Sequence, residues 1–129
     1  MDWCKKIQLE SGAFQGGTIE QKPVPVTFNT GQILIGLSSG VKEFDQYHDA
    51  MNGAAQWLVD TMDDDGAWRK FNTAFEEKGE KAYENHTAWG LIEAAKVSGN
   101  KSYGAAAMKN IHWAIIKQRD NGRLCLFPR

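Results

Sequence analysis

The chain has 129 residues, of which 42% are hydrophobic and 24% charged, and its formal net charge is −1. This size and balance fit one globular domain of modest core, and they give no electrostatic reason to expect nucleic acid or a membrane surface as a partner. No secretory leader opens the chain and no apolar run is long enough to cross a bilayer, so we expect a soluble, cytoplasmic protein unless a leader precedes this stretch.

Hydrophobic periodicity predicts five helices. In chain order they cover roughly residues 1–9, 30–39, 43–62, 84–98 and 101–118. The third is the clearest, because its apolar residues recur at steps of three and four, and the fifth repeats its design. The second and fourth are apolar on nearly every side, which predicts burial. We therefore expect an all-α fold of antiparallel hairpins in which 30–39 and 84–98 are the inner, more buried helices.

One segment occurs three times. Trp3, Trp57 and Trp113 recur at nearly equal intervals, and each stands nine positions before a glycine. Those glycines are Gly12, Gly66 and Gly122, and the large apolar residues Phe14, Trp68 and Leu124 follow two positions later. A repeat of this kind predicts an array of similar helical units, in which Trp57 and Trp113 occupy equivalent buried places.

Two long connections, 12–29 and 66–83, separate the predicted helices. Pro23 and Pro25 keep the first from being helical there, and the second carries a charged run at 76–81. Loops of this length inside a compact helical repeat are often functional. The alternative is that they do no more than bridge one end of the bundle.

The repeat resembles the QW motif of the terpenoid cyclase and prenyltransferase α/α toroids, whose spacing is aromatic–x4–Gln–x3–Gly–x–aromatic. The first copy matches it fully, with Gln8 in the glutamine place. Met62 replaces that glutamine in the second copy, and Leu124 replaces the final aromatic in the third. The segments at 28–32 and 120–122 look more like those of six-hairpin carbohydrate-acting proteins, such as glycosidases, uronyl epimerases and some pectate lyases.

The resemblance implies part of an α/α toroid. A complete ring closes with more hairpins than the two and a half that are visible here, so we expect residues 1–129 to form a single partial toroid domain, a fragment that is inactive alone. Three functions stay open, and with them the question whether the chain is an enzyme. They are binding or processing of a saccharide or uronide, a non-catalytic helical-repeat assembly role, and an isoprenoid cyclase-like role.

In such toroids the inner-helix starts and the long loops surround the cavity, which selects candidate site residues. Glu84 and His86 are candidates for acid–base catalysis. The candidates for saccharide binding are Asn29, Gln32, Trp68 and Asn85. The alternatives are that Glu84 and Asn85 cap a helix and that Trp68 packs within the repeat.

The aspartate cluster at 63–65 allows two functional interpretations. One is a magnesium site, and the other is an acidic olefin-protonating motif such as that of hopene-type cyclases. The aspartates lie inside the repeat's own turn, however, where solvated turn residues are expected. Cys4 and Cys125 lack the spacing of a zinc site and are expected to be free thiols. We therefore predict no metal site and no cofactor.

An open ring leaves the inner helices without neighbours on one side. The apolar residues concerned are Ile33, Leu34, Ile35, Ala88, Trp89 and Leu91. Exposed apolar faces mark association surfaces, so we expect a homo-oligomer formed through open helical edges.

Overall fold

The computed structural model describes residues 1–73 and 80–124. Its α-helices are α1 (Asp2–Ile7), α2 (Thr27–Val41), α3 (His48–Thr61), α4 (Asn85–Ser98) and α5 (Lys101–Ile116). Short 3-10 turns, Asp45–Tyr47 and Ala82–Glu84, lead into α3 and α4. Two isolated β-bridges are the only β-structure in this part of the chain. The predicted all-α class and the five helices are confirmed.

The helices form two antiparallel hairpins, α2 with α3 and α4 with α5, and the most extensive contact joins α2 to α4. These two lie side by side as an inner layer, while α1, α3 and α5 form the outer layer. Gly99, at a φ of 71°, ends α4, and the side chain of Asn100 accepts a hydrogen bond of 3.0 Å from the amide of Ser102 to begin α5. The left-handed backbone conformation at this position favours glycine, because a residue with a Cβ would be strained there.

Two predicted boundaries are corrected. The helix expected at 30–39 begins at Thr27, where the backbone amide of Thr27 donates to the carbonyl of Phe71 at 2.8 Å. The helix expected from residue 43 begins at His48, because Phe44 has an extended backbone and its amide donates to the carbonyl of Gly40. These backbone contacts set both boundaries, and periodicity does not report them.

One core runs through both hairpins. Its largest fully buried apolar side chains are Phe14, Leu34, Leu37, Met51, Leu58 and Leu91. The inner helices nevertheless keep one exposed face, on which Trp89 is 51% exposed. The expectation that α4 is more buried than the outer helices is therefore wrong, since five of its 14 residues are buried against six of 14 in α3. The exposed Trp89 agrees instead with the expectation that an open ring leaves the inner helices uncovered on one side. Of the apolar residues singled out above, Leu34, Ala88 and Leu91 are buried by this chain alone.

The three repeated segments share one turn. In each, a backbone amide donates to a carbonyl four positions later, and the amide of the glycine closes a second bond, as in Leu9 to Ala13 at 2.9 Å and Gly12 to Leu9 at 2.8 Å. Gly12, Gly66 and Gly122 all have positive φ, between 81° and 97°. Trp57 and Trp113 are buried as predicted.

No helix in residues 1–73 and 80–124 combines the length and the apolar character needed to cross a membrane. Cys4 is a free thiol, while Cys125 and most of the charged run at 76–81 lie outside the described residues.

Candidate functional site

The starts of α2 and α4 lie at the same end of the bundle as the long loops. The amide of Phe14 donates to Thr30 Oγ1 at 3.0 Å, which ties the first loop to the start of α2. Asn72 Nδ2 donates to Glu84 Oε1 at 3.2 Å, which ties the second loop to the start of α4. This end therefore gathers the predicted candidates Asn29, Gln32, Glu84, Asn85 and His86.

Four rings at this end form a continuous group that we call the aromatic shelf: Phe28, Tyr83, His86 and Trp89. Phe28 stacks on His86 with ring centroids 5.8 Å apart and meets Tyr83 edge-on at 5.7 Å. His86 in turn meets Trp89 edge-on at 5.4 Å. Because His86 and Trp89 are both exposed, the shelf presents ring surface to solvent.

Glu84 is fully buried, in contrast to the exposed His86 two positions later. It occupies the N-cap position of α4, but no side-chain capping bond is formed there. The alternative that the Glu84 side chain caps α4 is therefore wrong, although the residue does stand at the N-cap position. A buried carboxyl group beside a helix start is costly unless its neighbours stabilise it, and Asn72 supplies one of its hydrogen bonds.

Asn85 and the α2 residues line the same end. Asn85 is partly buried, and its Oδ1 has no hydrogen-bond partner among the described residues. Gln32 is exposed and takes the place of His86 in the repeat, as Ile35 takes that of Trp89. The exposed inner face therefore carries an amide on α2 and a ring pair on α4, with Asn29 half-buried next to Phe28 in the sequence.

Trp68 is not available to a ligand. Its side chain is 2% exposed, and its indole Nε1 donates to the carbonyl of Leu58 at 2.9 Å. The structure favours the packing alternative for this residue. Trp89, which the expectation of an open ring placed on the open side of an inner helix, is the exposed tryptophan at this end. The signal for it was its spacing of three from His86, which places both on one helix face.

Two of the three aspartates of the second turn face a protein cation. Arg69 donates to both carboxylate oxygens of Asp65, at 2.9 and 2.6 Å, and to Asp63 at 3.1 Å. It also bonds Glu80 at 2.7 Å. The Arg69 guanidinium lowers the pKa of Asp65 to about 2 and lowers the pKa of Glu80 as well. No group of three or more possible metal ligands converges within the described ranges.

No family model matches this sequence, and no curated protein matches it. A solved structure is similar: a glycosyl hydrolase family 88 protein from Bacteroides vulgatus, with a TM-score of 0.71 over 98% of this chain and 12% sequence identity. The chain spans 43% of the length of that protein. A likeness at this identity shows the fold alone, and it confirms the arrangement of antiparallel hairpins as part of an α/α toroid.

Proposed function

We propose that this chain binds a saccharide or uronide at the end of the bundle that carries the aromatic shelf. The observation that carries the proposal is the exposed Trp89 ring, which His86 holds edge-on. An exposed ring with nearby polar groups suits a sugar, whose C–H face packs on an aromatic surface while its hydroxyls seek hydrogen bonds. The name of the similar solved structure, a glycosyl hydrolase, supports the same ligand class.

The polar residues around the aromatic shelf are proposed to form hydrogen bonds to the sugar and to include the acid–base candidates. Gln32, Asn29 and Asn85 offer amide donors and acceptors to hydroxyl groups. Glu84 and His86 are the candidates for acid–base work, with the carboxyl group buried and the imidazole exposed. We propose binding without turnover by this chain on its own, and a single partial toroid domain over residues 1–129.

Titration with neutral and uronic-acid oligosaccharides, followed by calorimetry, tests this function. Trp89→Ala should weaken binding about tenfold, because a stacked ring is lost. Trp3→Ala is the matched control: Trp3 is 56% exposed, close to the value for Trp89, and lies on α1. Equal weakening by both changes, or no binding of any saccharide by the unchanged protein, would contradict the proposal.

A second candidate function is assembly, and a different surface favours it. Met108 and Ile115 on α5 are 47% and 59% exposed, and they lie about two helical turns apart on one helix face. We propose that this open edge mediates self-association. The isoprenoid cyclase alternative has less support, because Arg69 engages Asp63 and Asp65.

A further inference from the structure

The first two glycine turns, at Gly12 and Gly66, each pack against an outer helix, α3 and α5 respectively. A Cβ on Gly12 would overlap the carbonyl oxygen of Gly53 in α3, and a Cβ on Gly66 would lie 2.7 Å from the carbonyl oxygen of Lys109 in α5. Gly53 and Lys109 stand at the same place in the repeat. The same contact is thus made twice: a glycine without a side chain lets a helix backbone approach the turn.

The glycine carbonyl accepts a side-chain hydrogen bond in both turns, but the donor belongs to the turn segment in the first and to the packed helix in the second. In the first turn, Gln8 Nε2 donates to Gly12 O at 2.8 Å and also to the carbonyl of Ala50 in α3 at 2.9 Å. In the second turn Met62 has no donor to offer. There, Asn110 Nδ2 of the packed helix α5 donates to Gly66 O at 2.8 Å.

The residue in the turn is thus matched to a residue in the helix that packs on it. The residue of α3 that takes the place of Asn110 in the repeat is Ala54. Where the turn has its own glutamine, the helix carries alanine. Where the turn has methionine, the helix carries asparagine. A buried carbonyl needs one donor, and either partner can supply it.

The third turn has the same backbone but receives no helix from the described part of the chain. Gln118 Nε2 donates to Gly122 O at 2.8 Å, as Gln8 does to Gly12. Among the described residues other than its two chain neighbours, only Gln118 has an atom within 4 Å of where a Cβ on Gly122 would be. Leu124 is 37% exposed, whereas its counterparts Phe14 and Trp68 are buried.

The helix surface beside the third turn is also uncovered. Val59, at the end of α3, faces α5 across a groove that Ala105, Ala106 and Lys109 also line. The counterpart of Val59 in the repeat is Ile115, which is largely exposed. The third turn and Ile115 together thus form a surface equivalent to the one that packs against α5. No described residue covers this second surface.

We propose that the third turn, residues 118–124, together with Ile115, is a docking site for an amphipathic helix of a partner protein. The helix has the α3 pattern Tyr-x2-Ala-x3-Ala-x2-Trp, which Tyr47, Ala50, Ala54 and Trp57 show in this chain. The second alanine replaces asparagine because Gln118 already satisfies the glycine carbonyl. An intact second copy does not supply this helix, since its own first turn covers that face of α3. The proposal is independent of saccharide binding, but the partner helix and the self-association proposed above compete, because both use Ile115.

Nuclear magnetic resonance of the isotope-labelled chain tests the proposal with a synthetic peptide of the sequence of residues 45–62. We expect saturable shifts of the Arg123 backbone amide and the Gln118 side-chain amide at peptide concentrations up to millimolar. Gly122→Asn should abolish them, because the new side chain occupies the contact while asparagine tolerates a positive φ. Gly99→Asn, at a φ of 71° and in open space, is the matched control and should leave them unchanged.

A specificity exchange separates docking from non-specific contact. Gln118→Met makes the third turn like the second, so the chain should then prefer a peptide of residues 101–118, which carries Asn110, over the peptide of residues 45–62. One satisfied hydrogen bond corresponds to a preference of roughly three- to tenfold. The absence of saturable shifts in the unchanged chain, equal binding by Gly122→Asn, or no exchange of preference would overturn the proposal.

Discussion

At the scale of single residues, three tryptophans at one repeat position have different surroundings. Trp57 and Trp113 are buried, and the ring of Trp57 lies 5.2 Å from the ring of Phe71. Trp3 is exposed on α1. The repeat therefore keeps the turn geometry in all three copies, whereas the burial of the tryptophan depends on which neighbours stand beside the helix.

We expect Trp57→Ala to lower the free energy of unfolding by about 3–5 kcal/mol, because a large ring is removed from the core and a cavity remains. Trp3→Ala should change it by less than about 0.5 kcal/mol, as for most exposed positions. Urea unfolding of both variants measures the difference. Comparable losses at the two positions would mean that α1 buries Trp3 in solution.

The positions of the candidate site residues could be predicted from the sequence, whereas their roles stay predictions. A helix start and a long loop are visible in sequence, so Glu84, Asn85 and His86 could be placed at one end together with Asn29 and Gln32. The roles of Trp68 and Trp89 could not be predicted, because both are large and apolar and only tertiary packing decides which ring is covered. Trp68 finds an acceptor in the Leu58 carbonyl, and Trp89 faces outward.

At the scale of helices, the contact between α2 and α4 depends on two glycines. A Cβ on Gly90 would lie 2.6 Å from the carbonyl oxygen of Gly31, and a Cβ on Gly31 would lie 2.7 Å from Thr87 Oγ1. The backbones of the inner helices therefore approach closely at this point. Gly36 stands at the same place in the repeat as Gly90, but no described residue of another element lies within 4 Å of where its Cβ would be.

This pair predicts opposite effects of one substitution. Gly90→Ala should destabilise the fold by about 1–3 kcal/mol, because the added methyl group forces the two helices apart. Gly36→Ala should stabilise it by about 0.4–1 kcal/mol, since alanine lowers the entropy of the unfolded chain and favours the helix. Thermal unfolding compares the two. Stabilisation by Gly90→Ala would show that α2 and α4 do not cross here.

Helix existence followed from the sequence more reliably than helix boundaries did. The apolar steps of three and four are a property of each helix, so all five were found. The starts of α2 and α3 depend on bonds to groups outside the helix, such as the carbonyl of Phe71, which no local pattern reports. Periodicity alone predicted too much burial for α4, because burial of an inner helix requires a neighbour on each side. The expectation of an open ring accounts for its exposed face.

At the scale of the whole molecule, two surfaces lie apart. The aromatic shelf is on the inner layer at the starts of α2 and α4, and the open edge is on the outer helix α5. The toroid arrangement was predicted from the repeat and is shared with a protein of which this chain covers 43%. In the first two repeats, the glycine turn packs against the next outer helix. At the open edge, no helix of the described residues makes that contact.

The open edge on α5 should drive self-association. Met108 and Ile115 expose apolar surface in a line along α5, and covering it would yield about 25 cal/mol for each Å² removed from water. We expect light scattering to show a dimer or larger species at concentrations of tens of micromolar and a monomer near 14.4 kDa on dilution. Replacing both residues by lysine should shift this equilibrium to the monomer, because each chain would bring two charges into the interface, where they would be desolvated. Phe44→Lys is the control, since Phe44 is also exposed but lies in the connection between α2 and α3. A monomer at every concentration, or equal dissociation by the control variant, would show that the open edge does not drive self-association.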